Sequence, residues 1–188
     1  MRCAKISRKT DETKIELELN IDGVGKNKIT TDCNLLTHMI KTICVHGMFD
    51  ITLNAKGDDL FDNHHLIEDV GIVLGQAFRK ALGDKLGINR SGFFMFPMDE
   101  SLGTVAIDIS GRSHTVIDLK VNNSKYDYLE FFNGFSRGLL ANIHIKVEYG
   151  NNDHHKLESV FKAFSRALKI ACMKNKISTQ IPSAKGLI

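Results

Sequence analysis

Two stretches of this chain carry the same five-residue pattern, His64-His65-Leu66-Ile67-Glu68 and His154-His155-Lys156-Leu157-Glu158. Imidazole and carboxylate without thiolate suit Mn, Fe, Co, Ni or Zn. Residues four apart on a helix share a face. His64 with Glu68, and His154 with Glu158, can therefore each hold one ion. The intervening histidines project about 100° away. The economical expectation is an exchange, in which His65 serves the ion of the second motif and His155 the ion of the first. Each of two ions then has two imidazoles and one carboxylate, with room for a further ligand and a substrate. Ligation beyond four positions favours octahedral manganese over structural zinc. A lone His-His pair at a helix start is usually a capping or surface feature, but that reading leaves a matched double copy unexplained.

Stepping 90 positions carries His64, His65 and Glu68 onto His154, His155 and Glu158. The same step carries Val70, Ala77 and Ala81 onto Val160, Ala167 and Ala171. A unit this long in two copies is a duplicated small α/β module, not a solenoid. In the first half, Lys14 to Asn20 alternates as a half-buried strand, with Lys28 to Thr31 as its short partner. Asn34 is placed to cap a helix ending at Gly47. Phe49 to Ala55 reads as a strand, and Asp62 to Leu82 as a helix closed by Gly83. In the second half, strands are expected near 93–96, 104–109, 115–121 and 143–149, with helices near 127–140 and 153–173. The expected class is α+β: two half-domains, residues 1–92 and 93–188, each a small mixed sheet with two helices on one face, packed as one compact unit.

Other candidates follow from position. His38 lies on the first helix of its half, and the repeat puts Glu130 at the comparable point of the second; both residue types bind metals. His46, just before Gly47, suits either a helix end or a substrate contact. His144 reads as a packed or hydrogen-bonded strand histidine and His114 as a surface one. Arg90, Arg112 and Lys185, each beside small residues such as Ser91, Gly111 and Ser183, stand at ends of elements and suit an anion. Lys162, four residues after Glu158, fits an ordinary ion pair as well as a substrate contact.

Composition narrows the classes. Apolar residues are 43% and charged residues 25%, ordinary for a globular protein. The net charge of +3 comes without a block of like charge and does not by itself suggest nucleic acid. No apolar run approaches bilayer length, and the N-terminus does not read as a signal peptide. Cys3, Cys33, Cys44 and Cys172 lack C-x-x-C spacing, so the expectation is a reduced, cytoplasmic protein with mostly buried thiols.

The ordered set of motifs resembles the imidazoleglycerol-phosphate dehydratase family over nearly the whole chain. It runs from Arg8-Lys9-Thr10-Asp11-Glu12-Thr13 through His38-Met39, Asp62-Asn63-His64-His65, Pro97-Met98-Asp99-Glu100 and Asp108-Ile109-Ser110-Gly111-Arg112. It continues in Asn152-Asp153-His154-His155, Phe161-Lys162-Ala163 and Pro182-Ser183 with Lys185-Gly186. The resemblance implies a ribosomal protein S5 domain 2-like fold and a hydro-lyase of histidine biosynthesis. Its small phosphorylated imidazole substrate would be imidazole glycerol phosphate and its product imidazole acetol phosphate. It also implies two manganese ions per active site, shared between subunits, in a homo-oligomer of 24 subunits built from trimers. By likeness, Glu12, His38, His64, His65, Glu68, His154, His155 and Glu158 line the metal and reaction site. Arg90, Arg112, Ser183 and Lys185 form the phosphate grip, with Lys162 nearby. The C–H to be broken is not beside a carbonyl, so the imidazole must assist, and Glu12, Glu68 and Glu158 are the candidate proton carriers. The chain departs from the family pattern at Thr37, Ser91, Ala184 and Glu130, the last standing where a histidine is expected. Two further classes remain open: a metal-assembled oligomer with altered or lost dehydratase activity, and a di-metal phosphoesterase.

Overall fold

The computed structural model describes residues 1–58, 63–126, 128–175 and 180–188. The helix starts expected at Asp62 and Asp127 lie outside them. The first half holds β1 (Cys3–Lys9), β2 (Thr13–Asn20), β3 (Asn27–Thr31), α1 (Asn34–Gly47), β4 (Asp50–Gly57) and α2 (His64–Leu82). The second holds β5 (Ser91–Met98), β6 (Ser101–Asp108), β7 (His114–Asp118), α3 (Leu129–Leu139), β8 (Asn142–Tyr149) and α4 (Asp153–Cys172). Two four-stranded sheets share one topology, β1-β2-β4-β3 and β5-β6-β8-β7. The edge strands β3 and β7 are parallel to their neighbours, and the other pairs are antiparallel.

Alternation builds the sheets. In β2, Ile15, Leu17 and Leu19 are buried while Lys14, Glu16 and Glu18 face outward. Strand β1 falls outside the sequence expectation because only Ala4 and Ile6 mark its inner face; its duplicate β5 carries the stronger signal. The partner of β3 also differs from expectation. It runs parallel to β4, not beside β2, because α1 carries the chain across between them, as a parallel connection requires. Asn34 is not the cap of α1. Cys33 holds that position with an extended backbone and no side-chain cap, and the turn is closed by the Thr31 hydroxyl, which donates to Cys33 O at 2.7 Å. At α4 the cap is a side chain: Asn152 Oδ1 accepts from the backbone amides of His154 at 2.9 Å and His155 at 3.3 Å.

The layers run sheet, helices, helices, sheet. Helix α2 lies on β1 and β2, α4 lies on β5 and β6, and between the sheets α2 packs on α3 and α1 on α4. An aromatic cluster of Phe131, Phe132, Phe135, Phe161 and Phe164 fills the seam between α3 and α4. The α2–α3 contact is closer still. Gly71 and Gly75 face the carbonyls of Phe131 and Phe135, and Gly134 and Gly138 face those of Glu68 and Ile72. Spacing of four puts each glycine pair on one helix face. A Cβ at any of the four would collide with backbone, which cannot swing aside. Among the described residues, no helix is long and apolar enough to cross a membrane.

This contact yields a test. Gly75→Val should destabilise the fold by roughly 3 kcal/mol, overpacking outweighing any gain in helix propensity. Substitution of exposed Gln76 by alanine should stay within about 0.5 kcal/mol. Denaturant midpoints at equal slope read both.

Candidate active site

Helix α1 brings His38 beside the first turns of α4. His38 Nε2 lies 3.8 Å from Glu158 Oε2, and His154 Nε2 lies 3.2 Å from the same oxygen. The two imidazoles stack with centroids 5.8 Å apart and planes 12° from parallel. One ligand atom from each residue falls within 4.8 Å of the others. Ligands on one ion with bonds of about 2.0–2.2 Å stand about 3.0–4.2 Å apart, so this donor set fits a divalent transition metal with little movement. Lys162 Nζ sits 2.9 Å from Glu158 Oε1 and also borders the Phe96 ring and Met98. Burial alone would raise the Glu158 carboxyl, but Lys162, His38 and His154 together hold it below its ordinary range.

The mirror cluster is built from α2 and α3. The left-handed residues that end α1 and α3, Met48 and Leu140, correspond, and the same step carries His38 onto Glu130. Glu130 and His64 line one groove of about 600 Å³ together with Asn63, Ile67 and Tyr128. Asn133 donates to Glu130 Oε1 at 3.2 Å. His64 Nε2 is 4.0 Å from Glu68 Oε2, a looser approach than that of His154 to Glu158. Glu68 is also gripped by Arg137 of α3, a residue the spacing arguments overlooked.

The exchange expected for His65 and His155 does not occur within the chain, where His38 supplies the third donor of the α4 cluster. His65 faces Glu12 at 3.8 Å and Asp58 at 3.9 Å. His155 Nδ1 meets Glu100 Oε2 at 2.7 Å, with Asp99 3.7 Å from Nε2. Glu100 is held well below the ordinary carboxylate range, first by His155 and then by the Asn152 amide, and the His155 imidazole is raised in return. Each second histidine thus leans on the hairpin tip of its own half. Asp69, next to Glu68 and nearly buried, ties the first hairpin to α2. It pairs with Arg8 at 2.9 Å and accepts the Thr13 hydroxyl at 2.5 Å, so both strands flanking Glu12 are pinned.

His46, two helical turns beyond His38, reaches the same α1–α4 groove. It meets the Phe96 ring edge-on at 5.2 Å, and its Nδ1 is buried with no hydrogen-bond partner among the described residues. Burial, then the charges of Lys162 and Arg166, keep it below the ordinary histidine range. The basic residues gather elsewhere. Arg90, Arg112, Ser183 and Lys185 line one groove of about 420 Å³ with Ser110 and Ala184. Asp108 takes the Arg90 guanidinium in a fork at 2.7 and 3.0 Å, and Pro182 O accepts from it at 2.9 Å. Lys162 is at the histidine cluster, not in this groove. Arg90 N donates to Ala171 O near the end of α4, and from Glu158 to Ala171 the helix rises roughly 20 Å.

Of the remaining expectations, Thr37 turns to the Thr31 hydroxyl at 2.9 Å, and Ser91 is exposed at the start of β5. His114 is at the surface, and so is His144, on the outer face of the second sheet instead of packed. Cys44 and Cys172 are buried, with thiols pushed up to about 12 by burial; Cys33 is half-buried and Cys3 exposed.

The chain thus carries a duplicated α+β fold, paired imidazole–carboxylate clusters whose donors suit a divalent metal, and a separate basic groove whose charges suit an anion. Comparison with known proteins narrows the class. Residues 31–168 match the family model for imidazoleglycerol-phosphate dehydratase. The chain is 52% identical to the imidazoleglycerol-phosphate dehydratase of Koribacter versatilis, with all of both chains covered. It is 46% identical to that of Clostridium botulinum, covering all of this chain and 98% of the relative. The solved dehydratase of Pyrococcus furiosus superimposes with a TM-score of 0.84 at 34% identity, over 97% of this chain and all of that one. That of Staphylococcus aureus gives 0.82 at 32% identity, over 92% and 99%. The chain belongs to the imidazoleglycerol-phosphate dehydratase family, and so to the lyases.

The Asp69 anchor makes a prediction. Asp69→Ala removes the buried acceptor of the Thr13 hydroxyl and the partner of Arg8, and should cost about 2 kcal/mol. Amide exchange at Thr10 and Thr13, which bond each other across the tip, should quicken more than exchange in β6. Equal exchange in both places would show that Asp69 does not hold the hairpin.

Proposed function

We propose that this chain removes water from imidazole glycerol phosphate to give imidazole acetol phosphate, in histidine biosynthesis, at a di-manganese site. The observation that carries the reading is the convergence of His38, His154 and Glu158 within 4.8 Å in a chain of this family. His38, His154 and Glu158 would hold one ion, and His64, Glu68 and Glu130 the other, with His65 and His155 turned outward to complete sites with neighbouring copies. The same donors accept other divalent transition metals. Bound metal supplies Lewis-acid polarisation and a template for the imidazole ring.

The dehydration breaks a C–H bond at the middle carbon of the arm and a C–O bond at the ring-bearing carbon. The hydroxyl leaves with a proton as water, and the enol left behind becomes the ketone as its O–H proton is lost and the ring-bearing carbon gains one; one carboxylate must take up the C–H proton. Glu158 is engaged by Lys162 and Glu68 by Arg137. Glu12, half exposed at its hairpin tip, has only the 3.8 Å approach to His65 as an ion-pair contact among the described residues, and is the carboxylate placed to move it. Arg112 and Lys185 would meet the phosphate, with Arg90 held in line by Asp108.

The roughly 20 Å between the α4 cluster and the basic groove exceeds the reach of one ring and a three-carbon arm. That separation supports active sites shared between copies, and a 24-subunit particle built from trimers is part of this proposal. The outer face of the second sheet supports it too. Phe93, Ala106, His144 and Val116 form a row across all four strands, with Phe93 56% and Val116 48% exposed, where the first sheet shows charged residues. The four free thiols suit a reduced, cytoplasmic setting. A second reading, a metal-assembled protein with altered or lost dehydratase activity, draws on Arg137, which competes with metal for Glu68.

Purified protein with manganese and imidazole glycerol phosphate should release ketone and no free phosphate. Phosphate instead would indicate a phosphoesterase, and neither product an assembly protein. Glu12→Gln should lower kcat by roughly 10²- to 10⁴-fold with KM little changed; an unchanged kcat removes Glu12 from the proton step. Arg137→Ala should tighten binding of one ion by about fivefold, the worth of a half-exposed ion pair, as read by chelator competition.

A further inference from the structure

The duplication places a glutamate at the same point of each half. Glu12 precedes Thr13 at the start of β2, and Glu100 precedes Ser101 at the start of β6. Each hairpin tip leans on the first turn of the long helix of its own half, where the second histidine of the motif stands. The two copies are bonded differently. Glu12 stays 3.8 Å from His65 Nε2, outside hydrogen-bond range. Glu100 is filled on both oxygens. Oε2 takes His155 Nδ1 at 2.7 Å, and Oε1 accepts the amides of Asn152 at 2.8 Å and Asn151 at 3.2 Å and the Ser101 hydroxyl at 3.1 Å.

A carboxylate offers only acceptors, so the proton of this bond sits on His155 Nδ1. The nitrogen left to bind anything is then Nε2. The backbone amides of residues 151 and 152 stop Glu100 from turning away, and the cap from Asn152 fixes the helix start that carries the ring. We propose that Glu100 is a positioning residue that locks His155 in the Nδ1-protonated tautomer and presents Nε2 as a metal donor. Its counterpart Glu12 has been released from that task and left to move a proton. This rests on the metal-dependent reading above, and it adds a division of labour between two copies of one device. Imidazole ligands commonly depend on such a carboxylate at the far nitrogen.

The test uses the full chain and manganese, with affinity measured by chelator competition. Glu100→Gln keeps the shape and an acceptor oxygen for the two backbone amides, which turns its NH₂ toward Nδ1. That donor demands the opposite tautomer and puts a proton on Nε2. Glu100→Ala removes the backbone bonds but leaves His155 free to choose its tautomer. The inference expects Glu100→Gln to weaken one of the two manganese ions by roughly 10- to 100-fold, more than Glu100→Ala does, while the melting temperature of the metal-free protein falls more in Glu100→Ala. A merely structural role predicts the alanine variant to be worse in both measurements, and that order overturns the inference. So does wild-type affinity in Glu100→Gln, or an equal loss of affinity in Glu12→Gln. Wild-type protein that takes up no manganese would sink the metal reading and this inference with it; wild-type uptake with an unaffected Glu100→Gln sinks this inference alone.

Discussion

The close approach of α2 and α3 sets the positions of nearly everything else. Four glycines remove the side chains that would hold these helices apart, and each faces a backbone carbonyl of the other helix. The contact brings Glu130 and Arg137 to the face of α2 that carries His64 and Glu68. The α1–α4 contact delivers His38 to His154 and Glu158 by the same topology. Rigid helices on rigid sheets hold ligand atoms to within the tolerance a metal demands.

Duplication supplies two of each part, and the differences between copies carry the chemistry. The α4 carboxylate has a lysine on its own helix and two imidazoles in reach; the α2 carboxylate has an arginine from another helix and a looser imidazole. Each carboxylate has a cation beside it, and the two cations are not alike. Lys162 bonds one oxygen of Glu158 and leaves the other toward His38 and His154, and Arg137 likewise bonds Glu68 Oε1 and leaves Oε2 toward His64. The helix's own imidazole stands at 3.2 Å in the α4 cluster and at 4.0 Å in the α2 cluster, so the α4 cluster is the tighter of the two.

Periodicity made the helices legible, because His64 to Leu82 and Asp153 to Cys172 repeat their apolar residues every three to four positions. The motif doubling made the paired imidazole–carboxylate clusters legible for the same reason: spacing along a helix is geometry that a sequence carries directly. Pairing between distant segments is not carried that way. Strand β1 has a weak inner face and was passed over, and β3 was given the wrong neighbour, since only the α1 crossover decides which strand lies beside it. Glu100, Asp69 and Arg137 look like ordinary surface or ion-pair residues until the fold sets them against His155, the Glu12 hairpin and Glu68. Among the described residues the two motif helices do not pack on each other: α2 packs on α3 and α4 on α1, and His65 and His155 each lean on the hairpin tip of their own half.

The two kinds of site lie apart in the chain. A basic groove beyond the end of α4 and imidazole clusters at its start cannot both grip a small molecule in one chain, since the helix between them spans roughly 20 Å. At the basic groove Gly111 lies against the last residue, where a Cβ would strike Ile188. On the proposed reading, a groove at one end of the helix and clusters at the other would become a single pocket only where copies meet, head of one to tail of the next. An interface of that kind is heterologous, and it either closes into a ring or shell or runs on as a filament. Closure would then be a condition of the proposed activity, because an open end leaves a groove without clusters or clusters without a groove.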